Sequence, residues 1–146
     1  MPPPPNLEQL LVQIQFPGMP KPESDVCREW ITRHGAEYDQ IDFNVSLGTG
    51  VQLQGDFSQE TIDLANQMTK KRADMITWQY GQPAIWEVKI RASLGAVGQL
   101  IGYRELFDTT YPGAPEPTLT ILARRVDDDT RYVASQQGID IVLYED

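Results

Sequence analysis

Cysteine and histidine are nearly absent: one of each occurs in 146 residues. A lone Cys27 excludes an internal disulfide framework and fits a reducing compartment, so a cytoplasmic setting is expected. With His34 as the single histidine, a zinc centre of the usual Cys/His kind lacks its ligands. His34, at an expected helix end, reads as a cap or surface residue. No apolar run approaches the ~20 residues needed to cross a bilayer, so no membrane partner is expected. The opening MPPPPNLEQLLVQIQFPG has neither a basic n-region nor a small-residue cleavage site, and no secretory signal is read there. Positive charge is short as well. A formal net charge of −9 argues against an indiscriminate polyanion binder. No internal repeat is present, and the C-terminal half has no aromatic cluster that would make a stacking platform for single strands.

What is there fits one domain with a sizeable core, 40% of its residues being apolar. Residues 1–22 read as a proline-rich arm. Pro2–Pro5 should be polyproline II, and Leu7–Phe16 a short amphipathic helix or strand that packs on the domain or on a partner. Residues 23–146 are the domain. Glu23–His34 predicts a helix, with Pro22 in its first turn and Gly35 at its C-cap. At about 100° per residue Val26, Cys27, Trp30 and Ile31 share a stripe, and Glu23 falls on it. Two readings of Glu23 stand side by side: a carboxylate aimed inward, or a first-turn acid serving the helix dipole.

Tyr38–Leu47 alternates as a strand, with Ile41, Phe43, Val45 and Leu47 on one face. The turn GTG at 48–50 leads into VQLQG, which would complete a hairpin. Ser58 caps a helix from Gln59 to about Lys70, whose Ile62, Leu64, Ala65 and Met68 are available for burial. Strands at 73–79 and 84–91, joined by GQP at 81–83, precede a helix that starts among Gly95 and Gly98. Leu119–Val126 is a strand, Asp129–Gln137 a short helix and Ile139–Tyr144 a last strand. The fold class is α/β (α+β): a central mixed sheet flanked by helices, in the order α-β-β-(α)-β-β-α-β-α-β.

The chemistry gathers between Lys70 and Phe107. Asp74 lies near the start of one strand, and Glu87 and Lys89 lie two apart on the next, on one face with Ile85 and Arg91. Ala84, Trp86, Val88 and Ile90 point the other way, as core. A carboxylate and an ammonium side by side on an apolar strand cost desolvation energy. Gln99 and Tyr103 lie one turn apart on the following helix. From Thr69 to Arg104 the local charge is +4, from Lys70, Lys71, Arg72, Lys89, Arg91 and Arg104 against Asp74 and Glu87. Positive charge therefore collects where a phosphate backbone would lie, although Lys70 and Lys71 alone read as solvated strand ends.

Asp74 followed thirteen residues later by Glu87-Val88-Lys89 on a hairpin, and then by a helix, resembles the PD-(D/E)XK nuclease superfamily from about Glu23 to Tyr144. GQLIGYREL, with Gln99 and Tyr103, is similar to the QxxxY helix of its RecB-type branch, and Glu23 resembles the helix glutamate of many members. The sequence reads Arg72-Ala73-Asp74 where the pattern has Pro-Asp, and the insertion at 48–70 is long for the group. The resemblance implies a restriction-endonuclease-like core and a nuclease, with a phage source among the options.

Phosphodiester hydrolysis needs an activated water, in-line geometry and stabilised charge, all of which a hard divalent cation supplies. Asp74 and Glu87 offer two oxygen ligands to Mg²⁺ or Mn²⁺ and the Val88 carbonyl a third. Lys89 would orient or deprotonate the water, Glu23 would help hold metal or its water shell, and Gln99 would orient Lys89 or the water. Tyr103, Arg91 and Arg72 would contact the substrate, expected to be DNA. Taken singly, Glu87 and Lys89 read as a surface ion pair on an edge strand, and Gln99 and Tyr103 as a helix face capping the sheet. A catalytically inactive protein of the same fold is the alternative: a nucleic-acid-binding module, or a structural subunit of a larger particle such as a phage virion. An acidic, antitoxin-like interaction protein is a third reading. A homo-oligomer, or a larger assembly that touches the proline arm, is compatible with this size.

Overall fold

In the computed structural model, which describes residues 7–144, the elements run α1 (Leu7–Leu11), α2 (Lys21–His34), β1 (Gln40–Leu47), α3 (Gln59–Thr69), β2 (Lys71–Gln79), β3 (Gln82–Ala92), α4 (Leu94–Thr110), β4 (Thr118–Val126), α5 (Asp128–Gln136) and β5 (Ile139–Leu143). The proline run at 2–5 lies outside the described residues. The five strands form one mixed sheet in sequence order. β1, β2 and β3 are an antiparallel meander, and β3, β4 and β5 are parallel, joined by α4 and α5. This is the α+β architecture expected from the sequence, a mixed sheet with helices on both faces.

Each face has its own core. On one, Val26, Cys27, Trp30 and Ile31 of α2 pack on Ile41, Met75, Trp86, Val88 and Leu122, joined by Leu10, Phe16 and Met19. On the other, Val97, Leu100, Tyr103 and Phe107 of α4 pack on Ile76, Ile85, Leu119 and Ile121. α2 starts at Lys21, two residues before the expected Glu23, since Pro22 suits a first turn that needs no N–H partner there. Gly35 ends α2 in right-handed geometry and opens a short 3₁₀ turn. Its missing side chain is explained by crowding: a Cβ would lie 2.9 Å from both Leu7 and Ile31 methyls. The β2–β3 turn is Tyr80–Gly81, both at positive φ (52° and 80°), one residue earlier than GQP suggested. The Tyr80 N–H donates to Asp39 at 2.7 Å.

Three expectations fail. VQLQG makes no second strand, because the loop's backbone groups bond to α3 instead: Val51 N–H reaches Thr69 Oγ1 and the Asn66 amide reaches the Thr49 carbonyl. The apolar side chains of α3 are not buried, Leu64 being 60% and Met68 75% exposed. Finally, β1 does not keep one face inward. Ile41 and Phe43 pack under α2 whereas Val45 and Leu47 pack under α4.

The reason for this last reversal is Asn44, at φ 51° in the middle of the strand. A left-handed residue breaks the two-residue alternation. On β2, Ala73 and Met75 part company in the same way, so both strands turn over where Asn44 lies opposite Asp74. Asn tolerates this conformation and β-branched residues do not. Asn44→Val is expected to cost about 1–3 kcal/mol and Asn44→Gly close to nothing, read by urea unfolding; equal losses in the two variants would mean the side chain rather than the φ angle matters.

Candidate active site

The β2–β3 ladder runs from Gln79–Gln82 to Met75–Trp86 and stops. One position further on, Asp74 and Glu87 meet, and side chains take over from main-chain pairing. Asp74 Oδ2 accepts the Val88 N–H at 2.8 Å, and the Asp74 N–H donates to Glu87 Oε1 at 3.4 Å. The N–H and C=O of one strand residue point to the same edge, so the Val88 carbonyl faces the opening between the strands.

β3 is the central strand, so the pair at Glu87 and Lys89 is no edge-strand surface pair. Glu87 is 2% exposed, whereas the Lys89 side chain, 36% exposed, places Nζ 3.6 Å from Glu87 Oε2. Burial pushes the Glu87 carboxyl up, to about 8, and the Asp74 charge adds to this; Lys89 opposes it. Asp74 is also raised, first by burial and further by the charge of Glu23, against the lowering effect of the Val88 N–H, Lys89 and its hydrogen bond with Glu87. A buried carboxyl and a half-buried one this close disfavour carrying charge together. The arrangement favours a proton or a cation beside them.

Glu23 is half-buried in the first turn of α2, and its Oε2 is buried with no hydrogen-bond partner among the described residues. It is near enough for its charge to act on Asp74, which favours the inward reading of this residue. Gln99 and Tyr103, with Lys71, Gly98, Gly102 and Leu106, line a groove of about 440 Å³ along α4. Gln99 is exposed, while the Tyr103 ring belongs to the core; burial and the charges of Glu87 and Asp74 push its hydroxyl pKa well up, against a hydrogen bond with Gln99. Arg91 is exposed opposite Arg125 of β4. Arg72 is exposed too, its guanidinium 3.5 Å from the Gln67 carbonyl at the end of α3. A larger cleft of about 690 Å³, between the starts of α4 and α5, holds none of these residues and is lined by Asp127, Asp128 and Asp129.

Three neighbours escaped the sequence. Lys71 lines the groove. Cys27 lies close enough to Asp74 for that charge, after burial, to push its thiol pKa up. Asn44 turns the strand opposite Asp74, and an Asn interrupting an alternating strand was the available signal.

The donor set suits a hard cation. Among the described residues no three His, Cys, Asp or Glu side chains gather closely enough to enclose an ion. Two carboxylates and a carbonyl remain, a set that suits an ion keeping part of its hydration shell. The unpartnered Glu23 oxygen beside the pair points the same way.

No protein-family model and no curated protein matches the chain. Among solved structures it is similar to a repair endonuclease from Pyrococcus abyssi, at 17% identity over 51% of this chain and 33% of that one, with a TM-score of 0.44. It is similar to a complex of EndoMS with double-stranded DNA, at 15% identity over 83% of this chain and 44% of that one, TM-score 0.49. A protein of unknown function matches at 11% identity over 79% and 53%, TM-score 0.49. The chain thus spans between about a third and about half of the length of these structures. Among the described residues no helix is long and apolar enough to cross a membrane.

Proposed function

We propose that the protein is a metal-dependent nuclease that hydrolyses phosphodiester bonds of DNA, in replication, repair, recombination or phage DNA metabolism. The observation that carries this reading is the close pair of half-buried Asp74 and buried Glu87 at the end of the ladder, with Lys89 beside it. Asp74, Glu87 and the Val88 carbonyl would hold Mg²⁺ or Mn²⁺, which when bound supplies charge neutralisation at the phosphate and a more acidic water. Lys89 Nζ, held by Glu87 at the solvent side of the pair, would orient that water and move its proton. Glu23 would accept hydrogen bonds from the ion's waters. Gln99 and Tyr103 would position the wall of the groove, and Arg91 with Lys71 would meet the strand's phosphates.

A buried acid beside a half-buried one costs stability, and a retired site has no physical reason to keep it. This counts against an inactive structural subunit.

The direct test is calorimetric titration with Mn²⁺ beside cleavage of plasmid and single-stranded DNA, on the wild type and Asp74→Ala. Wild-type protein should bind Mn²⁺ with release of about one proton near neutral pH, because the ion displaces the proton shared by the pair. Asp74→Ala should lose both the binding and the cleavage. Absence of binding and cutting in the wild type would leave the fold and remove the catalytic reading.

A further inference from the structure

At about 100° per residue, α3 has two faces. Ile62, Asn66 and Thr69 lie on the side turned to the protein: the Asn66 amide donates to the Thr49 carbonyl, and Thr69 Oγ1 accepts from Val51 N–H at 2.5 Å. On the opposite side Leu64 and Met68 form a stripe, and Phe57 lies just before the Ser58 N-cap. These are 60%, 75% and 49% exposed, with Val51 nearby at 46%. None of the helix's residues is buried. An amphipathic helix normally turns its apolar stripe inward; this one is bonded down by its polar face and offers the apolar stripe to solvent. Exposed apolar side chains grouped in this way mark an interaction surface.

The charges around the stripe say what fits it. The N-terminal half carries Asp56, Glu60 and Asp63, and Lys70 and Arg72 follow the C-terminal end. Arg72 reaches back along the last turn to the Gln67 carbonyl, and Glu60, Asp63 and Gln67 fall on one flank of the stripe. A two-fold axis perpendicular to an antiparallel helix pair sets like flanks together, N-terminal half against C-terminal half. Acids of one copy then face the basic end of the other twice over, and the two apolar stripes close on each other. A surface complementary to itself is the requirement for an isologous dimer. The acids at the helix start would repel a phosphate backbone, so nucleic acid fits this face poorly.

We propose that α3 is a dimerisation helix, whose Leu64–Met68 stripe packs against the same stripe of a second copy of the chain. The inference needs no catalytic activity and is separable from the nuclease reading. An 11-residue helix gives an interface at the small end of the range, so the dimer should be weak, with a dissociation constant on the order of micromolar.

Sedimentation velocity of the full chain from low to high micromolar concentration should show reversible conversion of monomer to dimer. The exposed-site double variant Leu64→Asp/Met68→Asp should weaken it by at least about tenfold. Glu60→Lys and Arg72→Glu, each weakly dimeric alone, should form a mixed dimer when combined. As a check that does not depend on the folding of those variants, Leu64→Cys should cross-link to a covalent dimer on mild oxidation, since native Cys27 is buried; Tyr132→Cys, at an exposed position of α5, should not. A wild type that stays monomeric throughout, or a dimer indifferent to the Leu64 and Met68 changes with no Leu64→Cys cross-link, overturns the proposal.

Discussion

Lys89→Ala should lower metal-dependent DNA cleavage by at least about a thousandfold while leaving Mn²⁺ binding and the melting temperature nearly unchanged. The size follows from the role: loss of a positioned proton-transfer group costs about 10²–10⁴-fold, and here the group also carries the positive charge next to the pair. The separation of effects follows from geometry. Lys89 is no proposed ligand, its side chain is 36% exposed, and its 3.6 Å contact with Glu87 is a loose one. Truncation leaves no void in the core, and the methylene stem gives up little packing. Lys89→Arg should fail to rescue, because a guanidinium does not give up a proton near neutral pH. If cleavage survives Lys89→Ala within about tenfold, Lys89 is a bystander and the ion alone activates the water. If metal binding disappears together with activity, the lysine acts through the site's architecture instead.

Glu87→Gln should raise the melting temperature of the metal-free protein at pH 8.5, by roughly 5–10 °C, though it removes a proposed ligand. Burial and the neighbouring Asp74 raise the Glu87 pKa from 4.5 to about 8 in the fold. A group whose pKa is higher folded than unfolded favours the folded state fully below the unfolded value. That contribution is lost progressively as pH rises from about 4.5 through about 8. Glutamine mimics the protonated acid in shape and as a donor toward Asp74, at every pH. The gain should therefore be largest at pH 8.5, on the order of 2–3 kcal/mol, and fade toward pH 5. Mg²⁺ should reverse the order at pH 8.5, stabilising the wild type and leaving the variant where it was. Thermal melts in chelator and in Mg²⁺, from pH 5 to pH 8.5, read all of this. A variant less stable than the wild type at pH 8.5 without metal would show that the Glu87 charge is welcome in the fold, and the pair would lose its meaning as a cation site.

The position of the motif was legible because it is local. Alternation placed Glu87 and Lys89 on one face of β3 and Trp86 and Val88 on the other, and the helical period put Cys27, Trp30 and Ile31 of α2 inward. Such patterns depend on chain geometry over a few residues, which hydrophobic burial then enforces. The same reasoning misjudged α3, whose apolar residues were read as available for burial. Periodicity shows that a helix has an apolar face and cannot show which way that face is turned. Here the bonds from Asn66 and Thr69 to the 49–51 loop settle it.

Residue types and spacing, with the resemblance they carry, were thus enough to name Asp74, Glu87 and Lys89 as a group and to give the order of strands and helices around them, apart from the strand read at VQLQG. What they are to one another was settled in three dimensions. The ladder ends at Met75–Trp86, the strands turn over at Asn44 and Asp74, and α2 brings Glu23 up to the pair from a point some fifty residues earlier. Burial, and with it the raised pKa of Glu87, comes from helices packed on both faces of the sheet. Desolvation is a property of everything that surrounds a charge, and most of what surrounds this one is distant in the chain.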